Sequence, residues 1–597
     1  MSEKPSYLPD ESQEKLPVVA DRAKVFEGET PEESLRAWEP VFQFAREGYR
    51  ELRRDVPIPE HPETASEMVR TVQDEIYDRT ANYIPKVLEK TSWGGDERAF
   101  IEAVTERNYS GINLKDAAMT KTALGLSLVS ERAGAATMSE ALKSLSPEDL
   151  ERFGMDGEVR DILADSIPRF TASNAEYMRL WARALGGEGR ADRPVDAVRE
   201  HVRMGRALED MKTRFADTKW LEGFGDAREE FLGYLEKLEG AYRPFNKDGE
   251  PYTRVYRDRL IKEAYDSFLD FYKAHPEFPL VLIPQNDSIL GEDVEVEGSL
   301  GYDPEIRILW QSEREREIAG TVEGLRGDFT SALGELFPDL VKEEDLRVVE
   351  KSRAIVGNDL AALGANMKFR GVAQEGEDRN WNILIENAQW REYTRPAKEK
   401  LKKLIPAQMH DLVDDSSFGD LMNMLSFFHE FVHRIYSDQS KSAERLGDLN
   451  DRFAETKSDT VARTVFSRVM NGEAERRFGS RAQEAMNLAM LGDDLVNYYD
   501  GNPEGEDAAY WFGASSRLTI LAEQGMFIKT QDGVGIDQEK LKENWSTILV
   551  PYAREILEMY AKAESDLKGA KKIAARFEEV PKEPIIDEVG RSFASEK

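Results

Sequence analysis

The 597-residue chain has no cysteine and only six histidines. Without thiols it forms no disulfide, uses no thiolate nucleophile and binds no metal through sulfur. It also lacks any run of about 18 apolar residues, so no segment reads as a membrane-crossing helix. Its first residues, MSEKPSYLPDESQEKLP, lack the apolar stretch of a signal peptide, which gives a cytoplasmic expectation. Cations are in the minority: 81 Lys and Arg face 115 Asp and Glu, a formal charge of -34. That charge repels nucleic acid and anionic membrane, so neither is an expected partner. No internal repeat of roughly 20 to 50 residues is present.

What is present is enough apolar material, 40% of residues with 27 Phe, 20 Tyr and 9 Trp, for sizeable cores. Residues 1–35 are rich in Pro, Glu, Asp and Ser and read as a flexible acidic arm. Over 36–243 apolar residues recur at three- and four-residue steps, which predicts a helical lobe; ALGGEGR at 184–190 reads as a helix stop. From 244 to 395 the composition is mixed. FPLVLIP (278–284), DVEVEG (293–298) and IRILW (306–310) predict strands, and 312–336 a helix. RVVEKSRAIVG follows, and then MKFRGVAQ and NWNILIENAQW (367–390) read as strands around a polar GEDRN loop. Helical spacing returns over 396–567, with segments at 396–404, 416–437, 446–470, 480–500, 505–524 and 538–567. Residues 568–597 read as a Pro- and charge-rich tail with only IIDEV to pack. The fold class expected is mainly α with a smaller β-containing part (α+β).

Two of the six histidines lie in FFHEFVHRIYSD, residues 427–438, as His-Glu-x-x-His. Leu421, Leu425, Phe428, Val432 and Ile435 have helical spacing, and Asp414, Asp415 or Ser416 is placed to cap the start. On a helix, His429 and His433 project to one side, where both imidazoles reach a single metal ion, with Glu430 beside them. Glu455, separated from His433 by twenty-one residues, lies in RFAETKSDTVARTVFSRV, whose Phe453, Val461, Val465 and Val469 again have helical spacing. It is the candidate third ligand. Asp459, one turn on, is placed to accept a hydrogen bond from the free nitrogen of a ligating histidine. Two histidines, one glutamate and an open position make a catalytic zinc set, one ion per chain, whereas a closed structural site recruits cysteines. The competing reading is two core histidines on an apolar helix. His61, His201 and His275 read as surface or packing residues, and His410 sits in a loop-like stretch.

HEFVH with ETKSD resembles the glutamate-ligand (gluzincin) class of zinc peptidases, whose thermolysin-like members share the E-x-x-x-D step. FFHEFVH, FAETKSD, NWNILIENA and EDAAYWFGASSRLTILAEQGMF (506–527) together resemble the dipeptidyl-peptidase III family and its bacterial relatives over roughly residues 275–565. The resemblance implies two lobes around a cleft, zinc on the helical lobe, and a short peptide substrate laid as an added strand. It implies zinc ligation by His429, His433 and Glu455, with Glu430 as general base. This chain departs from the family in three places: a five-residue metal motif, a shorter step to the glutamate, and Ala509-Tyr510 with Ala514 where the family has a histidine after alanine. No histidine follows His433. Tyr510 is then the first candidate to donate a hydrogen bond to the oxyanion, with Arg517 two turns on and Tyr436 behind them. Two further readings stay open: a zinc-binding, catalytically inactive peptide-binding module, and a purely structural metal site. The sequence leaves the oligomeric state open.

Overall fold

The structure, a computed structural model, describes residues 47–90, 117–185, 194–242, 254–284, 306–360, 371–374, 380–436, 441–501, 508–531, 533–578 and 584–594. The chain divides into two compact units, Met1–Trp310 with Asp359–Met367, and Gln311–Asn358 with Lys368–Lys597. The architecture is mainly α with small sheets, as the periodicity requires. No helix among the described residues is long and apolar enough to cross a membrane.

In the first unit the main helices are α1 (Ala65–Lys90), α2 (Ala117–Ser144), α3 (Gly157–Leu185), α4 (Pro194–Ala216), α5 (Asp226–Ala241) and α6 (Arg254–Ala274). Each packs on its neighbour through one apolar stripe; on α3 the stripe is Val159, Ile162, Leu163, Ile167 and Phe170, all buried. β1 (Leu280–Pro284) and β2 (Ile306–Trp310) pair antiparallel, from Leu280 opposite Trp310 to Pro284 opposite Ile306, and every residue of both is buried. These are the two apolar runs that read as strands. DVEVEG and most of ALGGEGR lie outside the described residues.

The second unit opens with α7 (Glu313–Leu336), started by a capping box in which the Ser312 N–H donates to Glu315 at 2.9 Å. α8 (Glu343–Lys351) runs straight into β3 (Ser352–Asp359), so the Arg-Val-Val-Glu-Lys stretch is helical and the strand begins only at Ser352. β5 (Asn380–Ile385) pairs parallel with β3 on one side and antiparallel with β4 (Gly371–Gln374) on the other. The strand expected to run to Trp390 stops at Ile385, where the chain turns into a short helix (Glu386–Gln389) and a π-helical turn (Trp390–Thr394). Glu386 and Gln389 are polar at sites where a continued strand would need β-branched residues.

Then come α9 (Arg395–Leu404), α10 (Ser416–His433), α11 (Asp448–Phe478), α12 (Ala482–Tyr499) and α13 (Ala508–Glu523). α10 starts where the Asp415 side chain accepts the Ser417 N–H at 2.7 Å. Apolar residues lie on nearly every side of it, so it is enclosed: Phe428 and Phe431 pack on Phe329 of α7, and Phe428 on Phe466 of α11. α11 begins after Gly447, whose φ of +54° suits glycine, and packs on α7, α10, α12 and α13. A hairpin of β6 (Phe527–Thr530) and β7 (Gly533–Ile536) interrupts the helices. α14 (Trp545–Ala563) closes the far side of α11. The segment read as a tail carries two helices, α15 (Leu567–Glu578) and α16 (Pro584–Ala594), which bury Ala570, Ile573, Ala574, Ile586 and Val589.

Candidate metal centre

α10 and α11 lie side by side and bring five of the expected residues together: His429, Glu430, His433, Glu455 and Asp459. His429 Nε2 and His433 Nε2 stand 2.8 Å apart, and Glu455 Oε2 lies 3.1 Å from the first and 3.2 Å from the second. Zinc bonds of about 2.0–2.2 Å in tetrahedral geometry place ligand atoms about 3.3 Å from one another, close to this triangle. The His429 side chain is 6% exposed, whereas those of His433 and Glu455 are 24% and 23% exposed, so the triangle is closed on one side and open on the other. Glu430 adds a carboxylate oxygen within 4.8 Å of the histidine ligand atoms.

The arrangement is poor for a set of neutral side chains alone. Asp459 Oδ1 lies 2.7 Å from His429 Nδ1, which donates to it. In the neutral imidazole the lone pair of Nε2 therefore faces His433 Nε2 and the Glu455 carboxylate. Glu455 Oε2 is buried with no partner other than these two ring nitrogens. A buried acceptor left without a donor is costly, and a cation at the centre of the triangle satisfies all three atoms at once. The residues fit a zinc ion.

The electrostatics agree. Burial acts against an imidazolium at His429, but the Asp459 and Glu455 carboxylates outweigh it and push the pKa up to about 10. Burial also acts against ionisation of Glu455, and the two histidines hold it well below the usual carboxylate range. Asp459 is held low in the same way, against burial, by Arg463, Arg517 and His429. The site without metal thus attracts positive charge.

Among solved structures the chain is similar to dipeptidyl-peptidase III from Corallococcus sp. strain EGB, at 14% identity over 66% of this chain and 67% of that one, with a TM-score of 0.41. It is also similar to DPP III from Caldithrix abyssi, at 12% identity over 84% of this chain and 97% of that one, with a TM-score of 0.46. No family model and no curated protein sequence matches the chain. Likeness at this level says nothing of chemistry, and the site is read from its own geometry.

The remaining expected residues separate into two groups. The Tyr510 ring on α13 lies beside the His429 ring, centroids 6.0 Å apart and planes within 20°, and the residue is partly exposed. Arg517, expected to donate to the oxyanion, is placed elsewhere: it is fully buried, with Nη2 3.0 Å from Asp459 Oδ2 and 2.7 Å from Asp494 Oδ1, and Nη1 donating to Thr460 at 3.2 Å. Its donors are turned toward these groups, behind His429. Tyr436, at φ +53°, is also committed, its hydroxyl donating to the Leu340 carbonyl and its ring packed on Tyr560. His410 Nε2 faces the Lys402 carbonyl at 3.1 Å. In the first unit His61 lies 3.7 Å from Asp149, and His275 lies 3.1 Å from Glu230. The His201 side chain lies outside the described residues.

Sequence reasoning missed the buried partners of Asp459. Arg463, one turn after it, lies 3.0 Å from Asp459 Oδ1 and also pairs with Asp493 and Asp494. A signal was there: adjacent aspartates inside the apolar run AMLGDDLVNYY need buried cations.

Proposed function

We propose that the protein is a zinc-dependent peptidase acting on short peptides. The observation that carries this reading is the triangle of His429 Nε2, His433 Nε2 and Glu455 Oε2, whose buried oxygen has no other partner. A zinc ion bound there supplies a Lewis acid and lowers the pKa of its water to about 7. Glu430 takes the proton of the attacking water and later returns it to the leaving amine. Tyr510, on the neighbouring helix, donates its hydroxyl hydrogen bond to the carbonyl oxygen as negative charge develops there. Asp459 holds the Nδ1 proton of His429, which fixes the tautomer that leaves Nε2 free for metal.

The reading is tested by counting zinc in the purified protein and assaying a mixture of dipeptidyl and longer peptides with and without chelator. It expects one zinc per chain and cleavage that chelation abolishes; the products then tell dipeptide release from internal cleavage. Zinc without cleavage replaces it with a peptide-binding module, the reading that the absence of any histidine after His433 favours.

A further inference from the structure

Behind the three metal-facing atoms lies a connected ionic network contributed by α11, α12 and α13. His429 is joined to Asp459, Asp459 to Arg463 and Arg517, and both arginines to Asp494, with Arg463 also reaching Asp493. Arg517 grips Asp494 through two nitrogens, Nε at 2.9 Å and Nη2 at 2.7 Å from Oδ1. The side chains of Asp459, Arg463, Asp493, Asp494 and Arg517 are all at most 6% exposed. Asp494 thus meets two guanidiniums, and each of these also meets Asp459.

In a buried network of low polarity each charged group is held by its partners, so a change at one end is felt at the other. Glu455 Oε2, buried with no partner but the two histidine nitrogens, faces the metal position. Asp494 touches neither histidine; its role passes through Arg517 and Arg463 to Asp459.

We propose that Asp494 is a positioning residue of the metal site: by holding Arg463 and Arg517 it fixes Asp459 against His429, and with it the histidine nitrogen that faces the metal. The inference rests on the zinc assignment made above. It predicts that changing a carboxylate that touches no metal-facing side chain weakens zinc binding.

The test compares zinc affinity, by competition with a chromophoric chelator, and melting temperature with and without zinc. In Asp494→Asn, affinity falls about tenfold or more, the usual effect of losing an outer partner of a ligand. The rise in melting temperature on adding zinc shrinks. Asp494→Glu, which keeps the charge, restores affinity to within about threefold. Asp493→Asn removes the same charge from the other end of Arg463 and gives the same direction of change should Asp494→Asn fail to fold. Asp420→Asn serves as control, because Asp420 is a buried carboxylate paired with Arg314 and Arg477 outside the network. It lowers both melting temperatures and leaves affinity alone. Folded Asp494→Asn or Asp493→Asn binding zinc as tightly as the wild type, or losing equal stability with and without zinc, overturns the proposal. A wild-type chain that holds no zinc overturns the metal assignment itself, a separate result.

Discussion

The Tyr510 ring lies nearly parallel to the His429 imidazole, 6.0 Å between centroids, so a residue of α13 overlooks the first histidine of the α10 motif. If its hydroxyl serves the developing oxyanion, Tyr510→Phe keeps the ring packing and loses only the donor. Turnover is expected to fall about 10²- to 10³-fold with zinc content unchanged and KM little altered. Steady-state kinetics on the zinc-loaded variant check this, and wild-type turnover removes Tyr510 from the mechanism.

α13 approaches α11 this closely because position 513 carries no side chain. A Cβ on Gly513 would stand 2.9 Å from Arg517 Nη1, 3.0 Å from Thr456 Oγ1 and 3.2 Å from Thr456 Cα. Alanine gains helix propensity of about 1 kcal/mol but meets an overpacking cost of about 1–3 kcal/mol. Gly513→Ala is expected to lose up to about 2 kcal/mol of stability and, by moving Tyr510, to reduce turnover. Denaturant unfolding and turnover are measured together; unchanged values in both contradict the close-packing account.

Asp459→Asn leaves a shape close to the original but weakens the acceptor for His429 Nδ1. Zinc affinity is expected to fall about 10- to 100-fold rather than vanish, since the three ligand atoms remain. Chelator competition reads the change, and an unchanged affinity shows that Asp459 does not orient the ligand.

Asp345, on α8, provides a pH dependence separate from the histidine and glutamate cluster. Burial pushes its carboxyl up to about 6, against Lys342 and the Tyr436 N–H that it accepts. Because the folded value lies above the unfolded one, the protonated acid is favoured by folding. Its contribution is full below about pH 4 and is lost as pH rises through about 6, on the order of 3 kcal/mol. Asp345→Asn is therefore expected to be more stable than the wild type at pH 7–8 and similar to it near pH 4, as measured by unfolding across pH.

Much of this was legible in the sequence, and the parts that were not have physical reasons. The helix of the His-Glu-x-x-His motif, the helix that carries Glu455 and the strands at 280–284 and 306–310 all follow from apolar spacing, because each buries one face or all of it. The pairing of Asp459 with His429 was legible too, since Glu455 and Asp459 share a helix face. The place of Arg517 was not, because an arginine in an apolar helix only says that some buried anion exists; Asp494, on another helix, is named by the tertiary structure alone. The hairpin at 527–536 was missed although Asp532-Gly533 is a turn signal, its strands being only four residues each. α15 was hidden by its lysines, which mask the Ala570, Ile573 and Ala574 stripe.

The central claim is that Glu430 moves a proton beside a zinc ion held by His429, His433 and Glu455. It is tested most directly by zinc content and peptide hydrolysis in wild type and Glu430→Gln side by side. The account predicts one zinc per chain in both, with hydrolysis in the variant reduced about 10²- to 10⁴-fold. A variant that keeps zinc and full hydrolysis would contradict it.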